Sequence, residues 1–260
     1  MTEPRPDWFL GELRERPGPG KAFYTTRRYP LFYLQITKCG CTFLRNLLYH
    51  LDHGHMHGFA DRIHSHENDF LKADLIPRQD LVNSPFLFAV VRDPADRFLS
   101  LYFDKLANRN SRFDKKMRER VAKGAGLNPA PDPGLRGHRE NAAKALEWIG
   151  RNLDRREGGR VNPHWQRQSV RLSRAKGLDA RLLTLDGLSW QLPELLEPII
   201  PDIREQMDAV RVRNRSQRPH GRDEMLTPGF QAMVDAVYAE DAAIYRRASE
   251  TWANRAPNAG

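Results

Sequence analysis

Leu31-Phe32-Tyr33-Leu34-Gln35-Ile36-Thr37-Lys38-Cys39-Gly40-Cys41-Thr42 is the stretch on which the fold turns. Leu31 to Ile36 is a short aromatic and branched run of the kind that forms a strand, and it breaks at Thr37 into small and polar residues. From Phe43 the apolar positions Phe43, Leu44, Leu47, Leu48 and Leu51 recur at helical spacing, with Thr42 as the expected N-cap. The unit is therefore strand, small-residue loop, helix. Such a loop presents open backbone N–H groups and the positive end of a helix dipole, which together attract an anion. Gly40 lets the backbone approach a ligand closely, Lys38 adds a mobile charge, and the Thr42 hydroxyl can donate to a phosphate oxygen. The plain alternative is a tight turn with a surface lysine. The nucleotide-triphosphate loop, with four residues between Gly and Gly-Lys-Ser/Thr, is absent, which disfavours a kinase or ATPase.

The pattern repeats. Phe86-Leu87-Phe88-Ala89-Val90-Val91 has the continuous apolar character of a buried parallel strand. Arg92-Asp93-Pro94 closes it, with Asp93 as N-cap and Pro94 at the first helical position. Ligands of open parallel sheets gather at the carboxyl ends of strands, where Arg92 stands. Arg92 suits bidentate binding of a phosphate, and Ser100, about two turns into the helix, can reach the same group. Arg97 fits a structural role, facing solvent or paired with Asp93 or Asp96. A third strand is expected at Arg181–Asp186 and a last helix from Thr227-Pro228. Strands alternating with helices imply a parallel, doubly wound α/β sheet. We expect an irregular arm over residues 1–28, rich in Pro, Gly and Arg, and one domain over 29–260. A Pro/Gly-rich insertion at 107–137 reads as a lid or as a disordered connection.

Composition limits the partners. Lys and Arg outnumber Asp and Glu by 42 to 33, and the net charge of +9 favours an anionic ligand. The basic stretch Arg109–Lys123 holds a single aromatic, Phe113, which argues against stacking on nucleic acid and for a solvated helical face. No run approaches the roughly 18 apolar residues of a membrane span, and the first residues lack the apolar core of a signal peptide. A cytoplasmic protein is the expectation. Cys39 and Cys41, the only cysteines, are too close for a disulfide framework or a four-ligand zinc site, and they fit reducing conditions.

Ile36 to Arg45 and Val91 to Tyr102 together resemble two motifs of the carbohydrate sulfotransferases, especially the membrane-type branch of chondroitin, dermatan and heparan 2-O-sulfotransferases. The first is similar to that family's 5′-phosphosulfate loop. The second is similar to its 3′-phosphate motif, in which Arg-Asp-Pro is followed by Arg, two hydrophobic residues and Ser. Asn162-Pro163-His164-Trp165-Gln166 and Arg213-Asn214-Arg215-Ser216 resemble two later elements, a His-Trp pair and an Asn-X-Ser loop. The resemblance implies a P-loop-like three-layer α/β fold with a central parallel sheet flanked by helices. It implies transfer of a sulfuryl group from 3′-phosphoadenosine 5′-phosphosulfate (PAPS) to an acceptor hydroxyl on a carbohydrate or glycoconjugate, leaving PAP. By it, Lys38, Cys39, Gly40, Cys41, Thr42 and Phe43 hold the phosphosulfate end of the donor, and Arg92 and Ser100 hold the 3′-phosphate. Asn214 and Ser216 complete the donor set. The missing transmembrane anchor and lumenal cysteines point to a soluble, bacterial-type member.

The chemistry suits these residues. Negative charge builds on the leaving phosphate oxygen in an in-line displacement, and Lys38 is the cation placed to stabilise it. The transferred group carries less charge than a phosphoryl group, so no metal is required. A base must take the acceptor proton, and imidazole titrates near neutrality. The resemblance of His64-Ser65-His66 to a His-X-His element favours His66, with His64 orienting it or touching the acceptor. His164, His64 and Glu67 remain alternatives. Six histidines fall between His50 and His66, which raises a metal site as a further possibility beside plain solvated histidines. Trp165 reads as a core residue rather than a sugar-stacking platform.

Overall fold

The structure is a computed structural model that describes residues 5–16, 18, 22–108, 115–130, 132–153, 162–210 and 219–255. Among them one sheet runs in the order β1 (Phe23–Thr25), β2 (Phe32–Leu34), β3 (Leu87–Val91), β4 (Arg181–Thr184). The α-helices are α1 (Cys41–His53), α2 (Arg78–Val82), α3 (Pro94–Leu101), α4 (Lys115–Ala125), α5 (Gly134–Asn152) and α6 (Gln168–Leu172). They continue with α7 (Leu188–Leu196), α8 (Ile203–Ala209), α9 (Arg222–Met225), α10 (Pro228–Val237) and α11 (Ala239–Ala253). The fold is α/β, a mostly parallel sheet flanked by helices, as the alternating pattern predicts. β2, β3 and β4 are parallel, with Leu34 opposite Ala89 and Val91 opposite Thr184. Their carboxyl ends therefore share one edge. β1 pairs antiparallel with β2 and lies inside the stretch expected to be an irregular arm. Three residues, Phe23-Tyr24-Thr25, are too few to show a period among prolines and arginines, yet all three are buried.

The chain forms two compact units. One holds residues 1–91, 170–214 and 247–260, the other 92–169 and 215–246. In the first, every residue of β3 is buried, as in a strand covered on both faces. Leu31, Phe32, Tyr33, Leu34, Leu44 and Leu47 are also buried there. The second has a core of its own, in which Phe98, Tyr102, Leu106, Val121, Leu146, Ile149, Trp165, Phe230 and Val234 cluster. Residues 107–137, the expected insertion, belong to this unit. A π-helical turn over Tyr102–Ala107 leads into them, α4 follows, and the loop after α4 is pinned where Asn141 exchanges hydrogen bonds with the backbone of Asn128 at 2.7 and 3.2 Å. No helix of the described residues is long and apolar enough to cross a membrane.

Two helix starts follow the local chemistry read from the sequence, and a third does not. Asp93 caps α3 by accepting from the Asp96 amide at 2.9 Å with Pro94 behind it, and Thr227 caps α10 at 3.2 Å with Pro228 in the same place. The third is α1. It starts at Cys41, and its N-cap is Gly40, not Thr42. Gly40 takes φ 74°, a left-handed conformation that closes the loop onto the helix without a capping side chain.

A buried arginine fastens the first unit around α1. Arg45 is 1% exposed, and its guanidinium bonds Glu67, Tyr24 and the Gln35 side chain. Lys72 joins Glu67 at 3.0 Å. Asn46 donates to the Thr42 carbonyl at 2.9 Å and to the Ala60 carbonyl at 3.1 Å. Residues 60–69 are thereby held along α1. Partial burial pushes the Glu67 carboxyl up, but the hydrogen bonds from Arg45, Lys72 and Tyr24 outweigh it and hold the pKa at about 2.

Two stability predictions follow from this packing. Gly40→Ala should cost about 1–2 kcal/mol in urea denaturation, the usual penalty for an L-residue in the left-handed region. The added Cβ would also sit 2.8 Å from a Leu185 methyl, which must move aside. Gly58→Ala, where a Cβ meets nothing within 4 Å, is the control and should shift stability by less than about 0.5 kcal/mol. For Glu67, the folded pKa of about 2 lies below the ordinary 4.5, so its contribution is present above pH 4.5 and is lost as pH falls through 2. Glu67→Gln should flatten the acid limb of the stability profile in that window, measured by urea midpoints. An acid limb of unchanged slope would refute the pairing.

Candidate functional site

The loop after β2 is shaped by its backbone. Lys38 has φ 68°, the one non-glycine residue with positive φ among those described, and Gly40 has φ 74°. A lysine in this region is strained, and such strain persists where the surrounding structure holds it for a use. Two left-handed residues flank Cys39, whose amide donates to the Ile36 carbonyl at 3.4 Å, and the loop closes directly onto a helix start, an arrangement that suits an anion. Leu44 makes the first intrahelical bond, to the Gly40 carbonyl at 3.0 Å. The amides of Cys41, Thr42 and Phe43 precede it and are the ones a helix start offers to a ligand. Burial pushes the Cys41 thiol up, so Cys41 contributes its amide and not a thiolate.

Beside this loop lies a cavity of about 410 Å³ lined by Phe43, Leu188, Ser189, Pro193, Arg204, Met207 and Asp208. Its walls are mainly apolar with a few polar groups, the usual make-up of a site for a flat ring. His64 stands on the other flank. Its Nε2 lies 3.1 Å from Thr42 Oγ1 and 3.5 Å from Cys41 Sγ. The structure thus brings Lys38, Cys39, Gly40, Cys41, Thr42, Phe43 and His64 together.

His66 has a different set of neighbours. Its ring lies flat against Phe59, centroids 4.8 Å apart and 5° between planes, and its Nδ1 is 3.5 Å from Asp69 Oδ2. His57 reaches the same Asp69 oxygen at 3.0 Å. Glu67 is bound by Arg45, Tyr24 and Lys72, and a carboxylate held at about pKa 2 is a poor base.

The second unit begins at Arg92, which follows the last residue of β3. Gln168 grips the Arg92 backbone from both sides, accepting from its amide at 3.0 Å and donating to its carbonyl at 2.8 Å. Gln168 is itself fixed by Asp241, whose carboxylate takes the amides of Gln168 and Ser169 at 2.8 and 2.9 Å. Burial pushes the Asp241 carboxyl up, and these amides and the charge of Arg97 draw it back. Arg97 is buried beside Asp241 and Tyr238, which agrees with a structural role. Asp93 and Asp96 pair instead with Arg222, at 3.7 and 3.3 Å. Ser100 is 5% exposed within α3. His164 Nδ1 lies 3.0 Å from Asn162 Oδ1, and Trp165 is buried in the core. Asn214 and Ser216 lie outside the described residues. Sequence reasoning missed Gln168, Asp241, Asn46 and Asp69. Gln168 and Asp241 act through partners more than 70 residues away, and Asn46 and Asp69 combine a partner within one turn with one 14 or 12 residues away.

Comparison with known proteins gives one family. No curated protein and no solved structure matched the chain. The model of the sulfotransferase family matches residues 21–178, more than half of the chain, and this span includes both strand-end loops and the histidine segment between them. With that match and the α/β fold, the chain belongs to the sulfotransferase family, enzymes that transfer sulfuryl groups.

Proposed function

We propose that the chain is a cytoplasmic, PAPS-dependent enzyme that sulfates a hydroxyl of a carbohydrate or glycoconjugate. The observation that carries the reading is the left-handed pair Lys38 and Gly40 at the start of α1, a loop that closes directly onto a helix N-terminus. In this reading Lys38 and the amides from Cys39 to Phe43 bind the 5′-phosphosulfate, and the apolar cavity beside Phe43 takes the adenine. Arg92 and Ser100 bind the 3′-phosphate. Asn214 and Ser216 join the donor set on the resemblance of their loop. One nucleotide is assigned to the two motifs on the resemblance of both to the donor-binding motifs of the family.

The donor supplies an activated sulfur. An acceptor oxygen attacks it in line, the bond from sulfur to the 5′-phosphate oxygen breaks, and Lys38 stabilises the charge left on that oxygen. A base removes the acceptor proton. His66 is our choice, supported by the carboxylate behind it, with His64 at the loop to contact the acceptor. His164 is the second choice, its Nδ1 oriented by Asn162. The residue set asks for no metal, because lysine and amides meet the charge of a sulfuryl group. A nucleic-acid partner is disfavoured, since the basic stretch at 109–123 carries a single aromatic, Phe113.

Calorimetry with PAP tests the donor assignment, and absence of binding would overturn it. Lys38→Ala should lower kcat and Arg92→Ala should weaken PAP binding, each by about 2–4 kcal/mol, in kinetics with an acceptor found by labelled-donor screening. An unchanged kcat in Lys38→Ala sinks its role. Adenosine 5′-phosphosulfate, which lacks the 3′-phosphate, should bind at least about 100-fold more weakly than PAPS, because it leaves Arg92 without its anion. Equal affinities would show the 3′-phosphate site to be misplaced. His66→Ala should abolish most turnover with PAP affinity intact, and wild-type turnover in that variant would move the base to His164 or His64.

A further inference from the structure

His57, His66 and Asp69 hold ligand-type atoms within 4.8 Å of one another, an arrangement that invites a metal ion. The hydrogen bonds argue for a different use. His57 is 7% exposed, and its Nδ1 accepts from the Phe59 amide at 3.0 Å. An amide can only donate, so Nδ1 carries no proton and the neutral ring bears its proton on Nε2. That N–H points at Asp69 Oδ2, 3.0 Å away. A metal at Nε2 would have to displace this proton while the amide still occupied the Nδ1 lone pair, which makes the ring an imidazolate. Metal-bound histidines have the opposite pattern, with the second nitrogen donating to a carboxylate or carbonyl.

The cluster is instead a carboxylate held by one hydrogen bond from His57, with His66 at ion-pair distance from the same oxygen. His57 fixes one oxygen of Asp69, and the same oxygen lies 3.5 Å from His66 Nδ1. Phe59 restricts both rings: its amide sets the His57 tautomer, and its side chain is the plate on which His66 lies. With its Nδ1–H toward Asp69, His66 presents an unprotonated Nε2.

We propose that Asp69 is a positioning residue, locked by His57, that fixes the tautomer of His66 and stabilises the imidazolium formed when His66 Nε2 takes a proton. This rests on the reading of His66 as the base in sulfuryl transfer. In the step concerned the acceptor O–H bond breaks, its electron pair forms the new O–S bond, the S–O bond to phosphate breaks onto the leaving PAP, and the proton ends on His66 Nε2. Asp69 acts only through His66 and touches neither donor nor acceptor.

The test uses the full chain with ¹⁵N-labelled histidine. Two-bond ¹H–¹⁵N correlation spectra should show His57 as the Nε2–H tautomer and His66 as the Nδ1–H tautomer, and Asp69→Asn should shift His66 away from that form. In the same variant, single-turnover cleavage of PAPS with water as the acceptor should fall on the order of tenfold or more, with PAP affinity within about twofold of wild type and partial recovery in Asp69→Glu. A purely structural role would not separate the rate from PAP affinity. Wild-type His66 as the Nε2–H tautomer overturns the proposal without any variant. So does an Asp69→Asn protein with unchanged tautomer and rate, or one equivalent of Zn²⁺ displacing the His57 Nε2 proton. Failure of PAP to bind would refute the donor reading alone, because the tautomer spectra still decide the role of Asp69.

Discussion

A guanidinium with 1% exposure needs partners, and Arg45 draws them to Nε and one of its two terminal nitrogens from across the first unit. Its partners come from three places in the chain: Tyr24 on β1, Gln35 at the end of β2, and Glu67 in the turn that follows the histidine-rich stretch. One side chain on α1 thus fixes the edge strand, the mouth of the donor loop and the segment carrying His64 and His66. The cost of removing one partner is the cost of a buried charge left alone, which is why the geometry near Thr42 is tied to residues that touch no ligand. Arg171 extends the same order, donating to the Gln35 carbonyl at 2.9 Å.

The loop after β2 adjoins that network. Lys38 with φ 68° sits in a conformation that a free chain seldom adopts, and it is kept there between a buried strand and a helix whose start is held by Gly40. A loop closing directly onto a helix start offers that helix's first amides, so anion affinity is built into the main chain and needs only one side-chain charge.

The second unit solves its own burial problem by a related device. Asp241 is 0% exposed and satisfied mainly by two backbone amides, and the helix turn it caps carries the glutamine that holds the backbone of Arg92. The position of the Arg92 main chain is therefore set by Gln168. A carboxylate far along the chain thus governs an arginine assigned to the 3′-phosphate.

The sequence by itself determined whatever is local. Apolar runs marked β2, β3 and β4, Asp93-Pro94 and Thr227-Pro228 marked two helix starts, and the paired motifs at 36–45 and 91–102 pointed to the family, because each depends on residues within a turn or two of one another. β1 was hidden by its brevity, and the start of α1 was misplaced because Gly40 caps it through a backbone angle that leaves no side-chain signature. Only the tertiary structure decided which histidine meets the loop and which is backed by a carboxylate. His64 and His66 are two residues apart and chemically alike, yet Asn46 and Arg45 hold their segment so that one faces Thr42 and the other Asp69. Those contacts join residues from 14 to 22 positions distant in the chain, and the choice between two identical imidazoles is made by packing, which no local pattern encodes.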